Sequence, residues 1–266
     1  MAVSSISFYK YQGTGNDFVM IDNRNEEIRH DDLDLVRKLC DRRFGIGADG
    51  LILIQEHPSF DFEMIYFNAD GSMSMCGNGA RCAVMFAHSL NIISDKAVFE
   101  AIDGKHEAFI TDDGLVHLKM GKSGPVTPRG TDTFIDTGSP HHIRFIDNLQ
   151  SYDIVSEGRR IRYGEPYFDE GTNVNFVENK NGNVYVRTYE RGVEGETYSC
   201  GTGVTAVALA LSVMGHESPV KMKTKGGDLQ VSFKTNGDDF EDVYLIGPAK
   251  RVFKGTISPE IIEGKA

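Results

Sequence analysis

The sequence predicts a mixed α/β chain built as two matching halves, and three observations carry that prediction. Short β-rich segments alternate with a few apolar helical stretches along all 266 residues. A Cys-Gly-x-Gly turn occurs twice, as Cys76-Gly77-Asn78-Gly79 and as Cys200-Gly201-Thr202-Gly203, 124 residues apart and so nearly half a chain length. Each turn follows a β-rich segment (62–67, then 184–189) and opens an apolar helix, with Ala83, Val84, Met85 and Phe86 matching Val207, Ala208, Leu209 and Ala210. A motif, its position and its following helix recur together, which marks an internal repeat.

In the first half, 6–11 reads as a strand, 13–16 as a polar turn and 18–22 as a second strand. Residues 30–43 set Leu33, Leu35, Val36, Leu39 and Cys40 at helical spacing behind acidic residues suited to a helix start. Residues 51–55 and 60–67 are β-rich, 80–90 form an apolar helix, and 97–120 alternate in short strands broken by Gly and Asp. Residues 122–133, dense in Gly, Pro, Ser and Thr, are the linker candidate. The second half repeats the order. It has strands at 134–135, 173–178 and 184–189, a helix over 203–214, and strands at 220–224, 229–233 and 243–246. The expected division is 1–120, with the tail 249–266 returning to it, and 121–248, with the active site in the cleft between them. Residues 28–31 and the last few are polar and are expected to be poorly ordered.

Lys plus Arg number 28 against 39 Asp plus Glu, a net charge of −11. Such a surface repels phosphate backbones and anionic lipid, so neither nucleic acid nor a membrane is the expected partner. A small anionic substrate stays possible, because a few local donors outweigh a diffuse field. The longest apolar run, 204–214, is interrupted by Thr205 and Ser212 and falls short of the ~18 residues of a membrane span. Residues 1–10 lack the basic start and apolar block of a secretory signal, so a cytoplasmic location is expected. Four cysteines, Cys40, Cys76, Cys82 and Cys200, are too few for a disulfide scaffold and are expected as thiols.

Cys-Gly-x-Gly at the mouth of a helix sets a thiol where the first backbone N–H groups have no partner within the helix. The helix dipole favours negative charge there and lowers a cysteine pKa from ~8.5. The same N–H groups suit a carboxylate. Two such turns in matching places aim two thiols at one point from opposite sides. That arrangement suits inversion of a carbon centre, one group taking a proton from one face while the other returns one to the opposite face. One cysteine is then thiolate and the other thiol, so the pair titrates as a unit. The barrier to removing an amino-acid α-hydrogen falls only if charge developing on the carboxylate is stabilised, and losing one such donor typically costs ~2.7–4 kcal/mol.

Other motifs read as structure. Gly45-Ile46-Gly47-Ala48-Asp49-Gly50 fits GxGxxG but follows a helix and precedes a strand, the reverse of a dinucleotide site. Cys82 and Cys40 lie on apolar helix faces and read as core. His141-His142 reads as a structural pair in a turn, two ligands being too few for a metal. Glu190 and Arg191 are a surface pair or a site pair, and their closeness to Cys200 favours the site. Asn16 and Asn68 stand between turn residues and site residues.

Longer motifs carry a resemblance. Asn68-Ala69-Asp70-Gly71-Ser72, Met75-Cys76-Gly77-Asn78-Gly79-Ala80-Arg81-Cys82 and Glu190-Arg191-Gly192 leading into Ser199-Cys200-Gly201-Thr202-Gly203 resemble the diaminopimelate epimerase family. Gly13-Thr14-Gly15-Asn16-Asp17-Phe18 and Arg42-Arg43-Phe44-Gly45-Ile46-Gly47-Ala48-Asp49 match as well, in order over nearly the whole chain. The resemblance implies two α/β (α+β) halves, each a curved, mostly antiparallel sheet wrapped around a central helix, and a homodimer. It implies an isomerase that needs no cofactor and no metal and interconverts LL- and meso-diaminopimelate for lysine and peptidoglycan synthesis. Cys76 and Cys200 would be the acid/base pair. The backbones of Gly77, Asn78, Gly201 and Thr202 would hold the carboxylate at the reacting centre, and Asn16, Asn68, Asn173, Glu190 and Arg191 would read the rest. A doubly zwitterionic substrate needs a guanidinium, a carboxylate and amides of this kind. Asn175 is a rival for Asn173, and His141 and Ser139 would support the site.

The sequence also departs from the family. Gly50 stands where many members have Gln, Ser139 where members often have Asn, and Phe253 where a Tyr often helps the dimer contact. The stretch 71–76 is a residue short and 192–200 a residue long, neither touching a proposed functional atom. A proline or hydroxyproline racemase of the same fold is the near alternative, although that group tends to carry His where Asn78 stands. A thiol redox switch using Cys76 and Cys200 is the alternative from another class.

Overall fold

The computed structural model describes residues 5–262, and strands form where apolar residues alternate with polar ones or run together. In chain order the first part comprises β1 (Ile6–Gly13), β2 (Asn16–Asp22), α1 (Leu33–Cys40), β3 (Gly50–Gln55), β4 (Phe62–Asn68), α2 (Gly77–Ser89), β5 (Lys96–Ala101), β6 (Gly104–Ile110) and β7 (Val116–Lys119). There follow β8 (Thr127–Arg129), β9 (Asp132–Asp136), β10 (Pro140–Phe145), α3 (Ile154–Tyr163), β11 (Asn173–Lys180), β12 (Asn183–Glu190) and β13 (Gly195–Thr197). The chain closes with α4 (Gly201–Val213), β14 (Val220–Thr224), β15 (Gly227–Asn236), β16 (Asp239–Gly247), β17 (Lys250–Ile257) and α5 (Pro259–Ile262).

Contacts divide the chain into two compact units, Met1–Leu118 with Pro248–Ala266, and Lys119–Gly247. In the first unit the strands pair in the order β17-β1-β2-β3-β4-β5-β6-β7. Neighbours are antiparallel except β2–β3 and β4–β5, which are parallel. In the second the order is β8-β9-β10-β11-β12-β14-β15-β16, antiparallel except at β10–β11 and β12–β14. Parallel neighbours need a crossover, and each of the four parallel steps contains a helix: α1, α2, α3 and α4 in turn. The two units therefore share one topology, far beyond the short motif that repeats in sequence.

The second helix of each unit is the centre around which its sheet curves. α2 packs on β1, β2, β3, β4, β6 and β17, and α4 on β9, β10, β11, β15 and β16. α4 is apolar all round, and each residue from Val204 to Leu211 is at most 2% exposed, as a helix without a polar face must be. β1 is held on both sides, pairing with β2 and with the returning strand β17 (Ile6 opposite Ile257).

Several expectations shift. α1 is shorter than 30–43, because Asp32 caps it by accepting from Leu35 N at 3.0 Å and the backbone turns extended at Asp41. α2 and α4 begin three and two residues earlier than expected, at Gly77 and Gly201, directly after the cysteines. α3 has no counterpart in the expected elements. His141 and His142 lie in strand β10 rather than in a turn. Residues 122–133 include β8, paired with β9. Ile28, expected in a poorly ordered stretch, is buried, and the Asn23 side chain bonds both its N–H (2.8 Å) and its C=O (3.0 Å). Residues 263–266 of the tail lie outside the described residues.

Candidate active site

Cys76 and Cys200 occupy equivalent places, each the N-cap of its unit's central helix, with extended backbone and no side-chain cap bond. The first bonds back into the helices are Ala80 N to Cys76 O (2.8 Å) and Val204 N to Cys200 O (2.9 Å). Both sulfurs therefore stand beside the N–H-rich ends of helices. Cys76 is half-buried and Cys200 is buried at 7% exposure.

In the first unit a chain of amides surrounds Cys76. Asn16 Oδ1 lies 3.4 Å from Cys76 Sγ and 3.4 Å from Asn78 Nδ2, while Asn16 Nδ2 donates to Asp49 Oδ2 at 2.6 Å. Arg42 holds Asp49 at 2.7 Å and Asp17 at 2.6 Å. Burial pushes the Asp17 carboxyl up, but hydrogen bonds from Arg42 and Lys10 outweigh it and leave it at about 2. Asn68, at the end of β4, donates to Ser72 Oγ at 3.0 Å and Ser74 Oγ at 3.1 Å. The Gln absent at Gly50 has no room here, because a Cβ there would run into Phe67 O and the Tyr66 ring. Tyr66 uses that space, and its hydroxyl donates to Asn68 Oδ1 at 2.8 Å.

The second unit builds a different surround at Cys200. Thr202 Oγ1 lies 3.4 Å from Cys200 Sγ, and Thr202 O accepts from Thr137 at 3.0 Å. Gly203 permits the approach of its neighbours: a Cβ there would meet Asn175 Oδ1, and would lie 3.3 Å from both Cys200 Cβ and His141 Cε1. His141 is fully buried, and burial, aided by the charge of Arg191, pushes it down to about 3, so its ring is neutral at physiological pH. Asn175 Nδ2 donates to His141 Nδ1 at 3.1 Å and to His142 O at 3.2 Å, while its Oδ1 accepts from Thr188 at 2.9 Å. Those bonds leave the ring proton on Nε2, which has no partner among the described residues.

Asn173 and Asn175, two apart on β11, divide the work. Asn175 is committed to His141. Asn173 Nδ2 donates to Ser139 Oγ at 2.9 Å and Pro140 O at 3.1 Å, and its Oδ1 accepts from Arg191 N at 2.9 Å. Asn173 thus ties Ser139 to the turn carrying Arg191. The Arg191 side chain is exposed and donates to Glu170 O at 2.9 Å. Glu190 is half-buried at the end of β12.

Thus Asn16, Asn78 and Cys76 meet in one unit, with Asn68 at the end of a neighbouring strand. In the other, Cys200 lies by Thr202 and His141, while Ser139, Asn173 and Arg191 form a second group. Sequence reasoning missed Asp49, Tyr66 and Arg81, which act on these residues through side chains. The signal for Asp49 and Arg81 lay inside motifs already singled out. Cys40 and Cys82 are buried as core: burial pushes Cys40 up to about 12 and Cys82 further still.

Among the described residues no group of three or more His, Cys, Asp or Glu could hold a metal ion, and no helix is long and apolar enough to cross a membrane. The family profile for diaminopimelate epimerase matches residues 8–125 and 133–252. A diaminopimelate epimerase of Flavobacterium psychrophilum is 49% identical over 256 residues, covering 95% of this chain and all of the relative. That of Aquifex aeolicus is 39% identical, covering 97% of this chain and all of the relative. Among solved structures, a phenazine biosynthesis protein of the PhzF family from Bacillus anthracis superposes with a TM-score of 0.75 at 12% identity, over 96% of this chain and 99% of its own. A probable proline racemase from Agrobacterium radiobacter gives 0.65 at 15% identity, over 95% and 93%. At such identities the solved structures carry the fold alone.

Proposed function

Because the chain belongs to the diaminopimelate epimerase family, we propose that Cys76 and Cys200 are the two proton-transferring groups with which it interconverts LL- and meso-2,6-diaminopimelate. The observation that carries this reading is the equivalence of the two thiols, each at the N-cap of the central helix of its unit. One sulfur, as thiolate, takes the α-proton from one face of the substrate carbon. The other, as thiol, delivers a proton to the opposite face, and the pair ends with its protonation reversed. The backbone N–H groups of Gly77, Asn78, Gly201 and Thr202 receive the carboxylate, whose charge grows as the α-proton leaves. The neutral His141 offers its Nε2–H beside Cys200. Asn16, Asn68, Asn173, Glu190 and Arg191 bind the remaining charged and polar groups, with Ser139 supporting Asn173. The enzyme acts in the cytoplasm as a homodimer.

Turnover of LL-diaminopimelate in deuterated water tests this. The meso product should carry deuterium at one α-carbon. Serine at either Cys76 or Cys200 should slow turnover by orders of magnitude with the fold intact. Wild-type turnover in the double serine variant overturns the assignment. A redox switch would instead retain function through reversible oxidation of the pair, and a binding protein would show affinity without exchange.

A further inference from the structure

Arg81 is the largest fully buried side chain among the described residues, at 0% exposure. It lies one turn along α2 from Cys76, and no carboxylate lies against it among the described residues. Its partners are Asn78 Oδ1 at 2.9 Å, Thr14 Oγ1 at 3.3 Å and Gly77 O at 3.3 Å, and its Nε has none among the described residues. The ionisable groups whose charge it feels are the thiols of Cys82 and Cys76. A guanidinium stays charged in proteins even when burial lowers its pKa. A buried charge without a counter-ion is expensive, and such a group calls for a use of the charge.

The other unit shows what the same position needs for structure alone. Thr205 follows Cys200 by five residues, as Arg81 follows Cys76. It is 1% exposed, and its hydroxyl donates to Gly201 O at 2.9 Å. Arg81 bonds the matching carbonyl, Gly77 O. A neutral hydroxyl therefore serves that carbonyl in one unit, and a full positive charge in the other.

We propose that Arg81 is a positioning residue that makes the two half-sites unequal, its charge favouring the thiolate of Cys76 over that of Cys200. It also fixes geometry. By occupying Asn78 Oδ1 it turns Asn78 Nδ2 toward Asn16, and so sets the Asn16 oxygen that meets Cys76 Sγ. That oxygen accepts from the thiol form. The S–H donor is weak, so the guanidinium decides the resting state. Cys82 on the same helix is held protonated by burial. Asp49, reached through the neutral Asn16, is paired with Arg42. On the Cys200 side His141 is neutral, and the charge that acts on it, that of Arg191, is on an exposed side chain, where solvent screens it more than the buried Arg81. The proposal rests on the reading of Cys76 and Cys200 as the acid/base pair.

The rate of iodoacetamide alkylation at each cysteine against pH, resolved by mass spectrometry on the full, substrate-free protein, tests it. In the unaltered protein the Cys76 midpoint should lie below that of Cys200. Arg81→Gln should raise the Cys76 midpoint by about one unit, a roughly tenfold slower alkylation below it, and leave Cys200 in place. Arg81→Lys should restore most of the shift. A Cys200 midpoint at or below that of Cys76 in the unaltered protein overturns the proposal, whether or not the variants fold. An unmoved Cys76 midpoint in folded Arg81→Gln does the same. Failure of the acid/base reading itself is seen separately, as turnover that survives Cys76→Ser.

Discussion

At the residue scale, small side chains decide how closely the two cysteines are approached. Gly203 admits Asn175 Oδ1 where a Cβ would stand, so Gly203→Ala should push Asn175 off His141 and α4 outward. A forced fit of this kind typically costs ~1–3 kcal/mol, measurable as a lower urea midpoint, and turnover should fall with it. Tyr66→Phe makes the opposite kind of change, keeping the ring that fills the space over Gly50 and removing only the hydroxyl bonded to Asn68 Oδ1. The loss of stability should be about 1 kcal/mol or less. If Asn68 reads the substrate, KM should rise while the fold stays intact. The places of Cys76 and Cys200 at helix starts were legible in the sequence because a glycine turn before an apolar helix is a local pattern. The parts of Arg81 and Asn175 were not, Asn175 standing only as a rival for Asn173, because their bonds to Thr14 and to His141 join residues distant in sequence. Tyr66 bonds Asn68 only two residues on but reads in sequence as one more aromatic of a buried strand.

At the element scale, the helices separate into capped and uncapped kinds. α1 and α3 carry Asp32 and Asp153 at their N-caps, each accepting a backbone N–H three residues on. Asp32→Ala or Asp153→Ala should lower stability by about 1 kcal/mol. α2 and α4 carry cysteines that make no cap bond, although serine is among the best residues at that position. Cys76→Ser and Cys200→Ser should therefore be at least as stable as the parent, by up to ~1 kcal/mol, while turnover is lost. Thermal unfolding beside turnover separates the two effects, and a serine variant that is both destabilised and inactive would count against a site kept at the expense of a cap. Most strands were legible because apolar alternation is strong, whereas β8, β10, β13 and β17 were not expected. α3 was not expected either: it has Gly158 in its interior, pressed against Tyr189, and four of its ten residues are charged, so it does not stand out as an apolar stretch. β10 was hidden by its two histidines, whose burial depends on Asn175, Asp132 and Tyr167.

At the scale of the whole molecule, the repeat seen as a four-residue motif is a shared topology of seven strand pairings in each unit. Most of it was illegible because pairing sense is fixed by crossovers and not by composition. One property belongs to the whole fold: its response to acid. His141 is buried neutral with its pKa near 3, against about 6.5 in an unfolded chain, and burial lowers His142 as well, against the pull of Asp132. A depressed pKa means that the unfolded state takes up protons first. The contribution of His141 is fully present above pH ~6.5 and is lost as pH falls toward 3, at up to about 1.4 kcal/mol per pH unit. Asp17, held at about 2, adds its loss only below the ordinary carboxylate range. Stability should thus begin to fall well before the carboxylates protonate. His141→Gln keeps a polar side chain but removes the titration, so its urea midpoint should decline less between pH 6.5 and 4 than that of the parent. Parallel curves for the two proteins would mean that His141 is protonated, or reached by solvent, in the folded state, and with that the neutral Nε2–H donor beside Cys200 would be lost.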